Sequence, residues 1–147
     1  MGIKEKQMAH ITQSEYETLA AFRYSLRQFL HFSEDAAQSV GLTPQQHQAL
    51  LSIKGFPSRD KITITELAER MQIRHQSAVG LADRLMVQGL LVRKPSLADR
   101  RQVYVTLSSK GLAILEQLSA IHKEELRRML PELQQLVEQL SADGIKA

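Results

Sequence analysis

Between Leu67 and Leu85 the chain carries two short apolar runs at helical spacing. The first is Leu67, Ala68 and Met71, the second Ala78, Leu81, Ala82 and Leu85, with room for only a two- or three-residue turn between them. Two short helices joined so tightly make a helix-turn-helix unit. Thr65 is expected to cap the first, with Glu66 in its opening turn. The second is expected from about His75 to Gln88, stopping at Gly89. At about 100° per residue, the face opposite its apolar stripe carries Gln76, Gly80, Asp83 and Val87, with Ser77 and Arg84 along one flank.

The flanking segments extend this unit on both sides. Upstream, Leu19, Phe22, Leu26, Phe29, Ala36 and Val40 recur at three- and four-residue steps, predicting a long helix over Glu15 to Val40 that ends at Gly41. Thr43 and Pro44 open another helix that runs to Gly55, and Ile62-Thr63-Ile64 is a short β-like run. Downstream, Leu90 to Lys94 and Gln102 to Leu107 read as two strands of a hairpin, with Val103, Val105 and Leu107 inward and Gln102, Tyr104 and Thr106 outward. Ser108 caps a long helix that Pro131 is expected to interrupt, with Leu133, Leu136, Val137 and Leu140 in a last helix. The fold class is mainly α (α+β): a winged helix-turn-helix over residues 42–108, with terminal helices at 10–40 and 109–145, in one domain of residues 1–147.

Charge is unevenly distributed. Lys54 to Arg101 holds ten basic and five acidic residues, a surplus of +5, while each flank is at −1. An anionic partner would therefore meet the middle third. The chain has no cysteine, which excludes disulfides, thiolate metal sites and thiol chemistry. His10, His31, His47, His75 and His122 show no metal-ligand spacing, and no serine has a paired His/Asp constellation. No metal, cofactor or catalytic activity is expected. No segment approaches the roughly 20 apolar residues of a membrane span, and Met1 to Ser14 lacks the apolar stretch of a secretory signal, so a soluble cytoplasmic protein is expected.

The order of these pieces resembles the MarR family of winged helix-turn-helix transcription regulators. The resemblance is carried by Leu42-Thr43-Pro44-Gln45-Gln46, Ile64-Thr65-Glu66-Leu67-Ala68-Glu69-Arg70, Leu81-Ala82-Asp83-Arg84-Leu85, Gly89-Leu90-Leu91, Asp99-Arg100-Arg101 and Val105-Thr106-Leu107-Ser108-Ser109-Lys110-Gly111. It implies a homodimeric, sequence-specific regulator, a repressor, on double-stranded DNA bearing an inverted repeat. The start of a recognition helix reaches base edges, which nominates Arg74, His75, Gln76, Ser77 and Gly80, with Arg84 on the flank. Arg74 departs from the family, which usually has a small capping residue there. In the wing, Arg93, Lys94, Arg100 and Arg101 suit a minor groove. The resemblance implies that Arg101 is the inserted arginine and that Asp99 orients it. It also implies a small aromatic or phenolic ligand between the dimerisation helices and the winged region, for which Tyr16, Arg23, Phe29, His31 and His47 are candidates. Another expectation open from the sequence is a winged-helix module that binds protein and not DNA.

Overall fold

The computed structural model describes residues 10–96 and 102–145. It contains α1 (Gln13–Ser39), α2 (Pro44–Lys54), β1 (Lys61–Thr63), α3 (Ile64–Met71), α4 (His75–Val87), β2 (Leu91–Pro95), β3 (Val103–Leu107) and α5 (Ser109–Ile145). The chain divides into two compact units. One is Ser33–His122, and the other joins Met1–Phe32 to Lys123–Ala147.

The Ser33–His122 unit is the winged helix. Leu50, Ile53, Ile62, Leu67, Leu81, Leu85, Val105 and Leu118 are almost wholly buried and form its core. Each such side chain contributes about 1.5–3 kcal/mol of transfer free energy. Thr43 opens α2 with a capping box to Gln46 and a first-turn proline. A second capping box opens α3, but its cap is Thr63, paired with Glu66, and not Thr65 as the sequence suggested. The correction follows from spacing, because only a threonine three residues before the glutamate can exchange both bonds with it. Helix α1 closes through Gly41 at φ 79° and α4 through Gly89 at φ 75°. Helix α3 closes the same way through Gln72 at φ 56°, with Ile73 N donating to Ala68 O at 3.0 Å.

The sheet is antiparallel in the order β1-β3-β2. Val105 faces the core, as expected, but Val103 is exposed at the outer end of the hairpin and Thr106 is buried. Thr106 is tolerated inside because its hydroxyl donates to Asp60 O at 2.7 Å.

The second unit consists of the first part of α1 and the last part of α5. Thr12 and Glu15 exchange backbone and side-chain hydrogen bonds at the start of α1, and Thr18 Oγ1 lies 3.3 Å from Gln139 Oε1. Among its described residues, Thr18, Ser25 and Met129 are buried, while Leu19, Leu26, Leu30, Leu126, Leu130 and Val137 are exposed. Pro131 lies inside α5, which continues to Ile145, so the expected break into two helices is absent. A proline removes one helical bond and crowds the preceding turn. The leucine- and glutamate-rich turns on either side favour helix strongly enough to carry the chain through.

A polar pair sits in the winged-helix unit. The ring of His47, 2% exposed, lies 4.9 Å from that of His122. His122 Nδ1 donates to Leu118 O at 2.7 Å, and its Nε2 meets Ser33 Oγ at 2.9 Å. Burial, and then the neighbouring His122, hold the His47 pKa below the ordinary 6.5 of imidazole. Unfolded His47 therefore takes up a proton at higher pH than folded His47. Stability is complete above about pH 6.5 and falls as the pH drops from there through the folded-state value. Urea midpoints at pH 7.5 and 5 are expected to differ more for the wild-type chain than for His47→Gln. Equal differences would remove His47 as a cause.

Candidate nucleic-acid interface

The turn through Gln72, Ile73 and Arg74 sets α4 against α3 so that Ala78, Leu81, Ala82 and Leu85 are buried. The other side of α4 follows by periodicity. Arg74, His75, Gln76, Ser77, Asp83 and Arg84 are exposed, and Gly80 is half-buried. Arg74 occupies the N-cap with extended backbone and makes no side-chain cap bond. Its guanidinium has no acceptor to offer the helix amides, so the small capping residue expected in the family is not replaced in function.

Gly80 leaves open space on that exposed face. A Cβ there would meet only the Arg84 Nη1 atom, at 3.5 Å, an ordinary contact with a flexible side chain. Gly80→Ala is therefore expected to stabilise the free protein by up to about 1 kcal/mol, the helix-propensity difference. A urea midpoint that fell instead would show that the helix packs against something at this position.

The register of the wing separates two residues that the sequence grouped. Arg93 pairs with Val105, which pairs with Ile62, so Arg93 belongs to the face carrying the core. From there its Nη2 reaches Asp83 Oδ1 at 3.3 Å and its Nε reaches Met86 Sδ at 3.4 Å. Both charged side chains are more than half exposed, so the pair is worth at most about 1 kcal/mol. Its effect is local: it ties the root of the wing to the recognition helix and spends part of the Arg93 charge. Lys94 pairs with Tyr104 and lies on the opposite face of the sheet. Asp99, Arg100 and Arg101 lie outside the described residues.

A cation–aromatic cluster at the same end was missed from sequence. The Arg59 guanidinium lies 4.4 Å from the Phe56 ring centroid and 5.7 Å from that of Tyr104, and Lys61 Nζ lies 4.8 Å over Tyr104. Arg70 stacks on Phe56 at 4.8 Å. Arg59 also hydrogen-bonds Glu66. Burial works to raise the Glu66 pKa, but the Thr63 amide and the Arg59 guanidinium together bring it below the ordinary carboxylate value. Phe56, Arg59 and Lys61 lie close together in the chain and were the available signal, whereas Tyr104 joins them only through the pairing of β1 with β3.

The expected ligand residues are less concentrated. Tyr16, Arg23 and His31 are exposed and Phe29 is half-buried, all on the α1 segment of one unit. His47 is buried in the other unit beside His122. Among the described residues no group of three or more His, Asp or Glu side chains is placed to hold a metal ion.

Recognition helix, preceding helix and three-stranded wing define a winged helix-turn-helix protein. Residues 40–102 match the model of the MarR family. The HTH-type transcriptional repressor MdtR of Bacillus subtilis is 31% identical over 96 residues, 65% of this chain and 60% of its own length. This chain thus spans less than two thirds of that relative. The fold is similar to that of AbsC, a MarR family transcriptional regulator from Streptomyces coelicolor, with TM-score 0.70 and 21% identity over 92% of this chain and 93% of AbsC. It is also similar to a mutant of S. aureus MepR bound to oligodeoxyribonucleotide, with TM-score 0.64 and 20% identity over 93% and 96% of the two chains. Over residues 40–102 the chain is similar to the MarR family.

Proposed function

We propose that the protein is a homodimeric, sequence-specific double-stranded DNA-binding transcription regulator, a repressor, acting in the cytoplasm and not as an enzyme. The observation that carries this is the exposed first turn of α4, Arg74 to Ser77, on a helix whose other face is locked into the core of the +5 segment. Gln76 offers a bidentate amide to adenine and Ser77 a hydroxyl to a base or phosphate. The repressor name of MdtR and the nucleic acid bound to the MepR mutant support the same reading. No helix among the described residues is long and apolar enough to cross a membrane.

Residues 42–108 are assigned to DNA and residues 10–40 and 109–145 to dimerisation. The exposed leucines of the α1 and α5 segments support this, because an isologous contact would cover them and present two recognition helices together. Leu126→Asp leaves an exposed position exposed in a monomer but buries an unpaired charge in a dimer. It is expected to weaken assembly, by sedimentation, and DNA binding together. Dimers at wild-type affinity would refute the assignment. A small aromatic or phenolic effector, for which Tyr16, Arg23, Phe29 and His31 on the α1 segment are the candidates, completes the proposal. It must prefer the conformation that does not bind DNA, because equal affinity for both states shifts nothing.

Selection of duplexes from random DNA with the purified protein tests the main proposal. The expected product is an inverted repeat with half-sites about 34 to 36 Å apart. Absence of any enriched sequence would overturn it in favour of a protein-binding module. On the selected site, Gly80→Ala is expected to reduce affinity while it raises stability, since the added methyl projects from the face offered to the groove.

A further inference from the structure

A cavity of about 190 Å³ lies between α4 and the root of the wing. Val79 lines it from α4, Ile64 from α3, and Val103 and Val105 from β3, so much of its wall is apolar. Half-buried Met86 completes the lining together with the Asp83–Arg93 pair. Arg93 Nε reaches Met86 Sδ at 3.4 Å while Arg93 Nη2 reaches Asp83 Oδ1 at 3.3 Å. The thioether of Met86 thus sits where the recognition helix meets the wing, with a guanidinium N–H beside its sulfur and open space next to it. Because the chain has no cysteine, its thioethers are the softest groups it offers to an oxidant. The other described methionines are placed elsewhere. Met129 is buried, and half-buried Met71 lies at the joint of α2 and α3, its Sδ 3.6 Å from Ser52 Oγ.

We propose that Met86 is an oxidation site, with hypochlorous acid as the oxidant, and that its sulfoxide loosens the joint between recognition helix and wing. In the step a sulfur–oxygen bond forms and the oxygen–chlorine bond breaks. Sulfur gives up two electrons, chlorine takes them and leaves as chloride, and the hydroxyl proton is released. The new oxygen is a strong acceptor on a side chain that was apolar. Turned toward Arg93, it enters space that the guanidinium N–H now fills, and Arg93 must leave its seat against α4 and Asp83. Turned into the cavity, it faces valine side chains with no donor, a cost relieved when the wing separates from α4. Either way the geometry of the unoxidised joint is lost. The consequence for affinity rests on the DNA reading above, since α4 and the wing must meet one duplex together; the modification itself does not.

The test treats the full chain with limiting hypochlorous acid, locates the added oxygen by peptide mass spectrometry, and measures affinity for the selected duplex and the urea midpoint before and after. Wild-type protein is expected to take up oxygen at Met86, to lose about tenfold in affinity and to fall in midpoint. Incubation with methionine sulfoxide reductases of both epimer specificities and a thiol reductant is expected to restore both. Met86→Leu keeps the volume without the sulfur, so treatment is expected to leave its affinity and midpoint at their own untreated values. Met71→Leu is expected to respond as the wild type does. Equal losses on treatment of wild type and Met86→Leu, oxygen found at Met71 and not at Met86, or an oxidised Met86 with affinity and midpoint unchanged would each overturn the proposal. A wild-type protein that bound no duplex before treatment would overturn the DNA reading alone, and the midpoints of treated wild type and Met86→Leu would still decide whether Met86 is the site.

Discussion

Gly111→Ala is expected to destabilise the winged-helix unit by about 3 kcal/mol or more, read as a large fall in urea midpoint. A Cβ at Gly111 would stand 2.2 Å from Leu90 O and 3.0 Å from Leu90 C. These are backbone atoms, so no rotamer change can make room. The first turn of α5 is fixed at that point by three bonds. Ser108 N donates to Leu90 O at 3.0 Å, Ser108 Oγ to Gly89 O at 2.6 Å, and Gly111 N to Ser108 Oγ at 3.0 Å. Relief requires α5 to move off the turn that follows α4, which breaks these bonds and loosens the packing of Leu115 and Leu118 in the core. Gly80→Ala, with open space around its added methyl, is the matched control for the loss of a glycine. A Gly111→Ala midpoint as high as that of the control would show that α5 does not approach Leu90 so closely.

What could be read from the sequence follows the range of the forces involved. Thr43 with Pro44, and the glycines at 41, 55 and 89, act within one turn of their own helix, and α1, α2 and α4 begin and end close to where those residues place them. Thr106 shows where period-two alternation fails. Its burial depends on Asp60 O, 46 residues away in the chain, and no local pattern contains that acceptor. Gln72 fails differently, because a left-handed cap is normally signalled by glycine and here the turn is made without one. At Pro131 a local breaker signal was outweighed by helix-favouring neighbours on both sides. The exposed residues of α4 were legible because one face of a buried-stripe helix is solvent-facing by arithmetic. The division of the wing was not. Arg93 and Lys94 are adjacent in sequence, and which of them turns toward α4 depends on the register with β3 and on the presence of Asp83.

Arg101→Ala is expected to cost the largest share of DNA affinity of any single wing substitution, a loss of tenfold or more. The neck of the wing is closed by pairing of Pro95 with Val103 and by Ser96 N donating to Gln102 O at 3.1 Å, and Arg101 immediately precedes that neck in sequence. A minor-groove arginine acts through the groove's focused negative potential and through fit. Removing it should therefore also flatten the salt dependence, by about 0.9 in the logarithmic slope for each phosphate that is no longer neutralised. Arg101→Lys keeps the charge but holds its water more tightly, so it is expected to restore only part of the affinity. Asp99→Ala separates two explanations by sign. If the wing acts only through its net charge, deleting an acid from a DNA-facing loop must tighten binding. If Asp99 orients Arg101, the same deletion frees the guanidinium to sample solvent, and binding must weaken despite the gain in positive charge. Orientation is the expected outcome, because an arginine held in place gives up less conformational freedom when it enters the groove. Titrations of Asp99→Ala on the selected site at two salt concentrations decide between them. Tighter binding at both would refute the orienting role and leave the wing as a simple cationic loop.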